Sequence, residues 1–249
     1  MSGHSKWSTI KHKKAATDKK RAKIFTRLAK DLTIAAREGG GDPEFNNALA
    51  LAIEKAKAAN MPKDNIERSI KRGTGELEGG QLETNVYEAY GPKAVGILIE
   101  VVTDNRNRAI ADVRHYVSKN GGNMAEAGAV SWQFTRKGYV VIDGAFDEDD
   151  LFLEAAEAGA DDIQFNDDVA EIFVELNQFQ SVRDHLKDAG YNLVEATVIY
   201  DPDNTLELST NEAVQVLKFI DAVEDVDDVQ NVYSTLDVKD DALEALEAV

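Results

Sequence analysis

The sequence contains no cysteine and only four prolines and four histidines among 249 residues. The absence of cysteine excludes disulfides, thiolate metal ligands and cysteine nucleophiles. No apolar run approaches the roughly 20 residues that cross a bilayer, and the polar, basic start of the chain is unlike a secretory signal. We therefore expect a cytoplasmic protein without a membrane partner. A mitochondrial transit peptide is the alternative interpretation of the basic start.

Signatures of an enzyme or a metal site are also missing. None of His4, His12, His115 and His185 has a partner at metal-binding spacing. The glycines between Gly73 and Gly80 follow a helical pattern and lack the Lys-Ser/Thr pair of a phosphate-binding loop. No nucleophile elbow, kinase motif or metalloprotease helix is present. The sequence therefore predicts a protein that is not an enzyme and that needs no cofactor and no metal.

Positive charge is scarce overall but concentrated at the start of the chain. The 28 basic and 46 acidic residues give a net charge of −18. Residues 1–72 hold 17 basic and 8 acidic residues, a net charge of +9, so the remainder carries −27. Such asymmetry is typical of a chain that binds a polyanion. A solvated, disordered charged tail would have the same composition and is the alternative.

The N-terminal part is predicted to be a basic arm followed by three helices. Dense like charges should leave residues 1–21 poorly ordered without a counter-charge. Apolar residues at helical spacing predict a first helix over about Ala22–Arg37, which ends at three glycines. Asp42-Pro43 indicates the start of the second helix, and Pro62 that of a third, which ends at Gly73. The expected buried stripe of the second helix is Phe45, Leu49, Ile53 and Ala56.

After a glycine-rich linker the pattern becomes α+β. Strands are predicted at Val86–Tyr90, Ala94–Thr103 and Val130–Phe134, with a helix over Arg106–Lys119. A β-α-β-β-α-β run then follows, which is the order of a ferredoxin-like module. A helix at Asn211–Val223 and a strand at Val229–Tyr233 would complete the interrupted β-β-α-β unit before it.

The predicted fold class is thus α+β, with an N-terminal three-helix domain and two α+β domains. The last of these is ferredoxin-like and inserted into the middle one. The expected bounds are residues 1–78 for the arm and bundle, 79–134 with 206–249 for the discontinuous domain, and 135–205 for the insertion.

The candidate nucleic-acid contacts are the basic residues of the arm together with Trp7, the basic residues on one face of the first helix and those on the outer face of the third helix. Lysine and arginine bind phosphate with release of counterions, and a tryptophan beside them can stack on an unpaired base. These residues are Lys6, Trp7, Lys11, His12, Lys13, Lys14, Lys19, Lys20, Arg21, Lys23, Arg27, Lys30, Arg68, Lys71 and Arg72.

A second candidate lies where a strand meets a helix, at Asp104–Arg108. We expect Asp104 to cap the helix. Arg106 and Arg108, with the free amides of the first turn, would suit a phosphate. Pairing of these two arginines with the many acids of the body is the alternative.

Several distinctive short motifs are distributed along the whole chain. They are Gly3-His4-Ser5-Lys6-Trp7, Ile10-Lys11-His12-Lys13-Lys14-Ala15-Ala16, Lys23-Ile24-Phe25-Thr26, Gly39-Gly40-Gly41-Asp42-Pro43, Asn60-Met61-Pro62, Tyr90-Gly91-Pro92, Asp104-Asn105-Arg106-Asn107-Arg108 and Glu224-Asp225-Val226-Asp227-Asp228-Val229-Gln230. In these motifs the chain resembles the YebC/PmpR family over essentially its full length. The resemblance implies three domains and a cytoplasmic protein described as a DNA-binding transcriptional regulator. It also implies mitochondrial relatives that activate translation and bacterial relatives linked to the ribosome. The family has no agreed catalytic residues.

Two functional hypotheses follow. The first is a DNA-binding transcriptional regulator, although the sequence shows no helix-turn-helix whose reading helix is rich in Arg, Asn and Gln. Lysine-rich contacts position a protein on the backbone and do not read sequence. The second is a ribosome-associated translation factor whose basic arm folds on ribosomal or transfer RNA. The sequence does not indicate an oligomeric state.

Overall fold

The computed structural model describes residues 18–247 except residues 79 and 167, with side chains described between residues 22 and 246. The helices are α1 (Asp18–Gly39), α2 (Asn47–Ala58), α3 (Lys63–Gly73), α4 (Arg106–Lys119), α5 (Glu148–Ala158), α6 (Phe179–Asp188), α7 (Thr210–Glu224) and α8 (Asp240–Glu247). The strands are β1 (Glu83–Tyr90), β2 (Gly96–Thr103), β3 (Asn123–Met124), β4 (Phe134–Asp143), β5 (Asp162–Asn166), β6 (Val169–Val174), β7 (Leu193–Pro202) and β8 (Val229–Ser234). The predicted α+β class is confirmed.

The first three helices pack around a small apolar core. Leu32 of α1 and Leu49 and Ala56 of α2 are fully buried, and Ile66 of α3 closes the cluster. Gly73, at the end of α3, lies so close to α1 that a Cβ atom there would be 2.4 Å from the carbonyl oxygen of Thr33. The close approach fixes α3 against α1.

The second helix begins later than predicted. Its N-cap is Asn46, whose side chain accepts from the Leu49 amide at 3.1 Å and donates to the carbonyls of Ala35 and Gly40 at 2.7 Å. The prediction that Asp42 and Pro43 begin this helix is therefore wrong. The placement of Phe45 in the core is also wrong, since its side chain is 86% exposed.

One antiparallel sheet contains strands from both ends of the α+β region. Its order is β3-β1-β2-β8, so that β8 pairs with β2, with Leu98 opposite Tyr233. Helices α4 and α7 cover one face, where Val113, Val117, Val216 and Phe219 are buried. Helix α8, which was not predicted, packs on α7 at the same core through Leu243.

A second antiparallel sheet has the order β5-β6-β4-β7. Numbered within the unit, this is 2-3-1-4 in a β-α-β-β-α-β chain, so the predicted ferredoxin-like topology is confirmed. Leu151 of α5 and Val182 of α6 are buried on one face of this sheet. The opposite face contributes Tyr139 and Phe173 to a cluster with Leu98 and Tyr233 of the first sheet. The two sheets therefore pack face to face, with helices outside.

The segment before β4 departs from prediction. Val130–Phe134 does not form a strand, because residues Ser131–Gln133 form a short 3₁₀ helix and β4 begins at Phe134. Val130 and Phe134 are buried, whereas Trp132 is 72% exposed. The alternation of apolar residues here arises from a turn whose two ends, Val130 and Phe134, are buried, and not from a β-strand.

We propose domain bounds of 1–78, 79–134 with 206–249, and 135–205. Strand pairing supports this division, because β8 returns to the sheet of β1–β3 after the whole of the second sheet.

Candidate nucleic-acid interface

Much of the predicted basic interface lies outside the described residues. Lys6, Trp7, Lys11, His12, Lys13 and Lys14 belong to the segment before residue 18. For Lys19, Lys20 and Arg21 only the helical backbone of α1 is described. Their role as nucleic-acid contacts stays a prediction.

The remaining bases of α1 contact the protein itself. The Lys23 ammonium lies 2.7 Å from the Asp225 carboxylate, and Arg27 donates to the Glu224 carbonyl at 2.9 Å. Lys30 donates to the Val102 carbonyl at 2.8 Å and to that of Asp227 at 3.0 Å. Burial lowers the pKa of Lys23 and of Arg27 in this contact. These three side chains are therefore engaged in holding α1 against the acidic segment 224–228.

Asp228 is the centre of this contact. Its carboxylate accepts from Lys30 at 3.1 Å, from Arg108 at 2.8 Å and from the Thr103 hydroxyl at 3.1 Å. Burial alone would raise the pKa of Asp228, but the hydrogen bonds from Arg108 and Lys30 outweigh burial and place it below its ordinary value. Asp228 is therefore an ionised carboxylate that joins α1, β2 and α4.

Gln230 and Asp31 extend the contact. The Gln230 amide donates to the Arg27 carbonyl at 3.0 Å and to the Asp31 carboxylate at 2.7 Å. Burial here raises the pKa of Asp31 to about 6. The boundary between α1 and the first sheet is thus polar and hydrogen-bonded along two turns of helix.

The second candidate divides into one engaged and one exposed arginine. Arg108 binds Asp228 and also Asp104, at 3.0 Å, as in the alternative of pairing with neighbouring acids. Asp104 does not cap α4, because the cap is Asn105, whose side-chain oxygen accepts from the Arg108 amide at 3.1 Å. Arg106 is exposed and makes no ion pair with a described residue.

The bases of α3 do face solvent. Arg68, Lys71 and Arg72 are exposed and form no ion pair within the part of the chain that the structure describes. Their i, i+3, i+4 spacing puts them on one face of the helix, opposite Ile66 and Ser69, which are buried against α1. The arrangement leaves three cations of one helix face open to an anionic ligand.

A rigid turn around Trp132 is a feature that sequence reasoning missed. The Glu88 carboxylate accepts from the amides of Gly128 at 2.7 Å, Val130 at 2.5 Å and Ser131 at 2.9 Å. The Trp132 indole N–H donates to the Ala129 carbonyl at 3.0 Å. An exposed aromatic ring is thus held at a fixed place. The acid on β1 and the turn lie about 40 residues apart, so local sequence patterns contain no signal for it.

Two further observations concern other classes of site. His115 and His185 are exposed on helices, and His185 lies 2.6 Å from Glu154. In the residues described, no group of three or more acids and histidines is placed to hold a metal ion. None of the described helices is long and apolar enough to cross a bilayer.

Comparison with known proteins covers nearly the whole chain. The family model for the TACO1/YebC N-terminal domain matches residues 5–76, and that for the TACO1/YebC second and third domain matches residues 82–236. Proteins named "Probable transcriptional regulatory protein" from Halothermothrix orenii and Petrotoga mobilis are similar. The first is 52% identical over 228 residues, 90% of each chain; the second is 54% identical over 220 residues, 88% of this chain and 87% of the relative.

A solved structure is also similar. The crystal structure of a conserved hypothetical protein from Aquifex aeolicus matches with a TM-score of 0.85 at 40% identity, over 91% of this chain and 94% of that chain. Sequence and fold agree over all three parts of the molecule, and the chain belongs to the TACO1/YebC family.

Proposed function

We propose that this protein is a DNA-binding regulator of gene expression that holds the phosphate backbone through its basic N-terminal segment and the exposed face of α3. The observation that carries the proposal is the open cluster Arg68, Lys71 and Arg72. Acids outnumber bases 46 to 28 in this chain, yet these three cations have no ionic partner among the described residues. An unpaired cationic helix face in an acidic protein is suited to an external polyanion.

The position of the cluster supports the same proposal. Helix α3 packs on α1. Helix α1 contains Lys19 and Lys20 and directly follows the segment that contains Lys11, Lys13 and Lys14. The relatives named as probable transcriptional regulatory proteins support a regulatory role. The bases of α1 that bind the acidic segment 224–228 are not part of the proposed interface.

The proposed contacts are to phosphate. Any recognition of the DNA base sequence is assigned to the arginines of α3. If about five bases bind phosphate, the logarithm of the binding constant should fall with the logarithm of salt concentration with a slope of about −4 to −5. The −27 of the remainder would repel a duplex. Binding should therefore be one-sided.

The test is fluorescence anisotropy with a labelled DNA duplex at several salt concentrations. One variant replaces Lys11, Lys13, Lys14, Lys19 and Lys20 with Ala, and a second replaces Arg68, Lys71 and Arg72 with Ala. The matched control replaces Lys187, Lys218 and Lys239, which lie on the acidic part, with Ala. Circular dichroism verifies that each variant is folded.

We expect weaker binding and a shallower salt slope for the first two variants and wild-type behaviour for the control. Unchanged binding and slope in both test variants would contradict the proposal. If the wild-type protein does not bind DNA but co-sediments with ribosomes, and the five-lysine variant does not co-sediment, the proposed function becomes that of a ribosome-associated translation factor.

A further inference from the structure

Helix α4 is a basic island on the acidic part of the molecule. After Arg72 the chain contains 11 basic and 38 acidic residues. Four of those bases, Arg106, Arg108, Arg114 and Lys119, are in the 14 residues of α4, which contain a single acid, Asp112. The local sign of charge is therefore opposite to that of the surrounding sequence.

Most other bases after Arg72 already have ionic partners. Six of the 11 form ion pairs within the described residues: Lys93, Arg108, Lys137, Arg183, Lys187 and Lys239. Of the five that form none there, Arg106, Arg114 and Lys119 are on α4, and Arg136 and Lys218 lie elsewhere. Since 38 acids are available, the open bases of α4 do not reflect a shortage of partners.

Two of the open bases, Arg114 and Lys119, lie on the outer side of the helix. Ala109, Val113 and Val117 bury the inner side against the first sheet. On the other side a shallow groove of about 550 Å³ is lined by Ala111, Arg114, His115, Ser118 and Lys119. Ala111, Arg114, His115 and Ser118 follow i, i+3, i+4, i+7 spacing, which makes one continuous face. Two small side chains thus lie between cationic ones.

The length of this face fits a phosphate backbone. Ala111 and Lys119, the ends of this face, are separated by about 12 Å along the axis at 1.5 Å per residue, which is the axial length of about three to four base pairs at 3.4 Å each. Because residues 73–249 hold 38 acidic and 11 basic residues, the rest of this part of the chain would repel a polyanion, and the contact would be confined to the helix. We propose that the exposed face of α4 is a second phosphate-binding surface for the nucleic acid. The inference rests on the proposed function and extends it to a part of the chain that is otherwise acidic.

The salt dependence of DNA binding tests the surface. The variant Arg114→Ala with Lys119→Ala should make the salt slope less negative by about 2, since each lost phosphate contact removes about 0.9. The control is Arg136→Ala with Lys218→Ala, which removes two exposed bases without ion pairs and changes net charge equally. A wild-type slope in the α4 variant, or an equal change in the control, overturns the inference.

Cross-linking provides a second readout that does not depend on affinity. Because the chain has no cysteine, Ala111→Cys creates a single thiol in the groove for a photoreactive label. Ser181→Cys, on the exposed side of α6, is the control. Cross-linking from position 111 and not from position 181 supports the surface, and the reverse or equal yields overturn it. Matched DNA and RNA duplexes in separate samples distinguish the two sources of phosphate.

The two proposals fail differently. If the five-lysine variant loses binding while the Arg114 and Lys119 variant keeps the wild-type slope, the proposed function stands and the α4 surface is rejected. If only the α4 variant loses binding, the α4 surface stands and the N-terminal interface is rejected.

Discussion

Lys30 of α1 and Asp228, just before β8, form an ion pair of 3.1 Å whose side chains are only 13% and 9% exposed. Lys30 has the sequence features of a nucleic-acid contact, because it follows a basic helical stripe near the N-terminus. In the folded chain it has an internal carboxylate and two carbonyls as partners. The acidic segment 224–228 thus binds some of the basic residues of the N-terminal part, which are then not available to an external ligand.

Removal of the Asp228 charge should be costly. Asp228→Asn should lower the free energy of unfolding by about 3 kcal/mol, because Lys30 would lose its carboxylate partner in a largely buried contact, while Arg108 would keep only Asp104. Asp225→Asn is the matched control, since Asp225 is 74% exposed and a surface pair contributes under about 1 kcal/mol. Urea unfolding at pH 7 measures both, and equal losses would contradict the central role of Asp228.

Asp31 should give stability a distinct pH dependence. Burial raises the pKa of its carboxyl to about 6 from an ordinary 3.8, so the folded chain holds this proton more tightly than the unfolded chain. Its contribution is complete below about pH 4 and is lost as pH rises through about 6. Relative to wild type, Asp31→Asn should therefore gain about 2.4 kcal/mol between pH 4 and pH 7, at 1.36 kcal/mol per pH unit. The measurement is the free energy of unfolding in urea at several pH values. A difference between the two proteins that stays constant from pH 4 to pH 7 would refute this prediction.

Glu88 should control the mobility of Trp132. In a Trp7→Phe background Trp132 is the only tryptophan, because the chain has two. Glu88→Ala removes the acceptor of three amides, and each buried group left unpaired costs about 1–3 kcal/mol. We expect lower fluorescence anisotropy of Trp132 and lower stability. Glu126→Ala, at an exposed acid of the same turn, should change neither. A rigid Trp132 without Glu88 would show that other contacts hold the turn.

Local patterns predicted those features whose causes are local. The bounds of α4 agree with the prediction, because the signals that determine them, the spacing of the apolar residues and the residues at the two helix ends, are local in sequence. The ferredoxin-like order followed from a run of alternating elements. Phe45 was misplaced because the start of α2 is decided by bonds from Asn46 to carbonyls 6 and 11 residues earlier, which periodicity does not reveal.

The candidate site was harder to predict for the same reason. Lys23, Arg27 and Lys30 find partners about 200 residues away, where β8 brings the acidic segment beside β2. Charge pattern alone does not distinguish a base that binds an internal acid from one that is open. Arg68, Lys71 and Arg72 share the composition of the α1 stripe, and only the fold separates the two groups.

The return of β8 to the first sheet has a consequence for synthesis of the chain. Leu98 and its partner Tyr233 are 135 positions apart, so at 5–20 residues per second the ribosome needs about 7–27 seconds between them. During most of that interval the ferredoxin-like segment is made and can fold, whereas the acidic segment 224–228 does not yet exist. A nascent chain therefore carries α1 with Lys23, Arg27 and Lys30 uncovered, and these bases gain their acidic partners only after residues 224–228 have been synthesised.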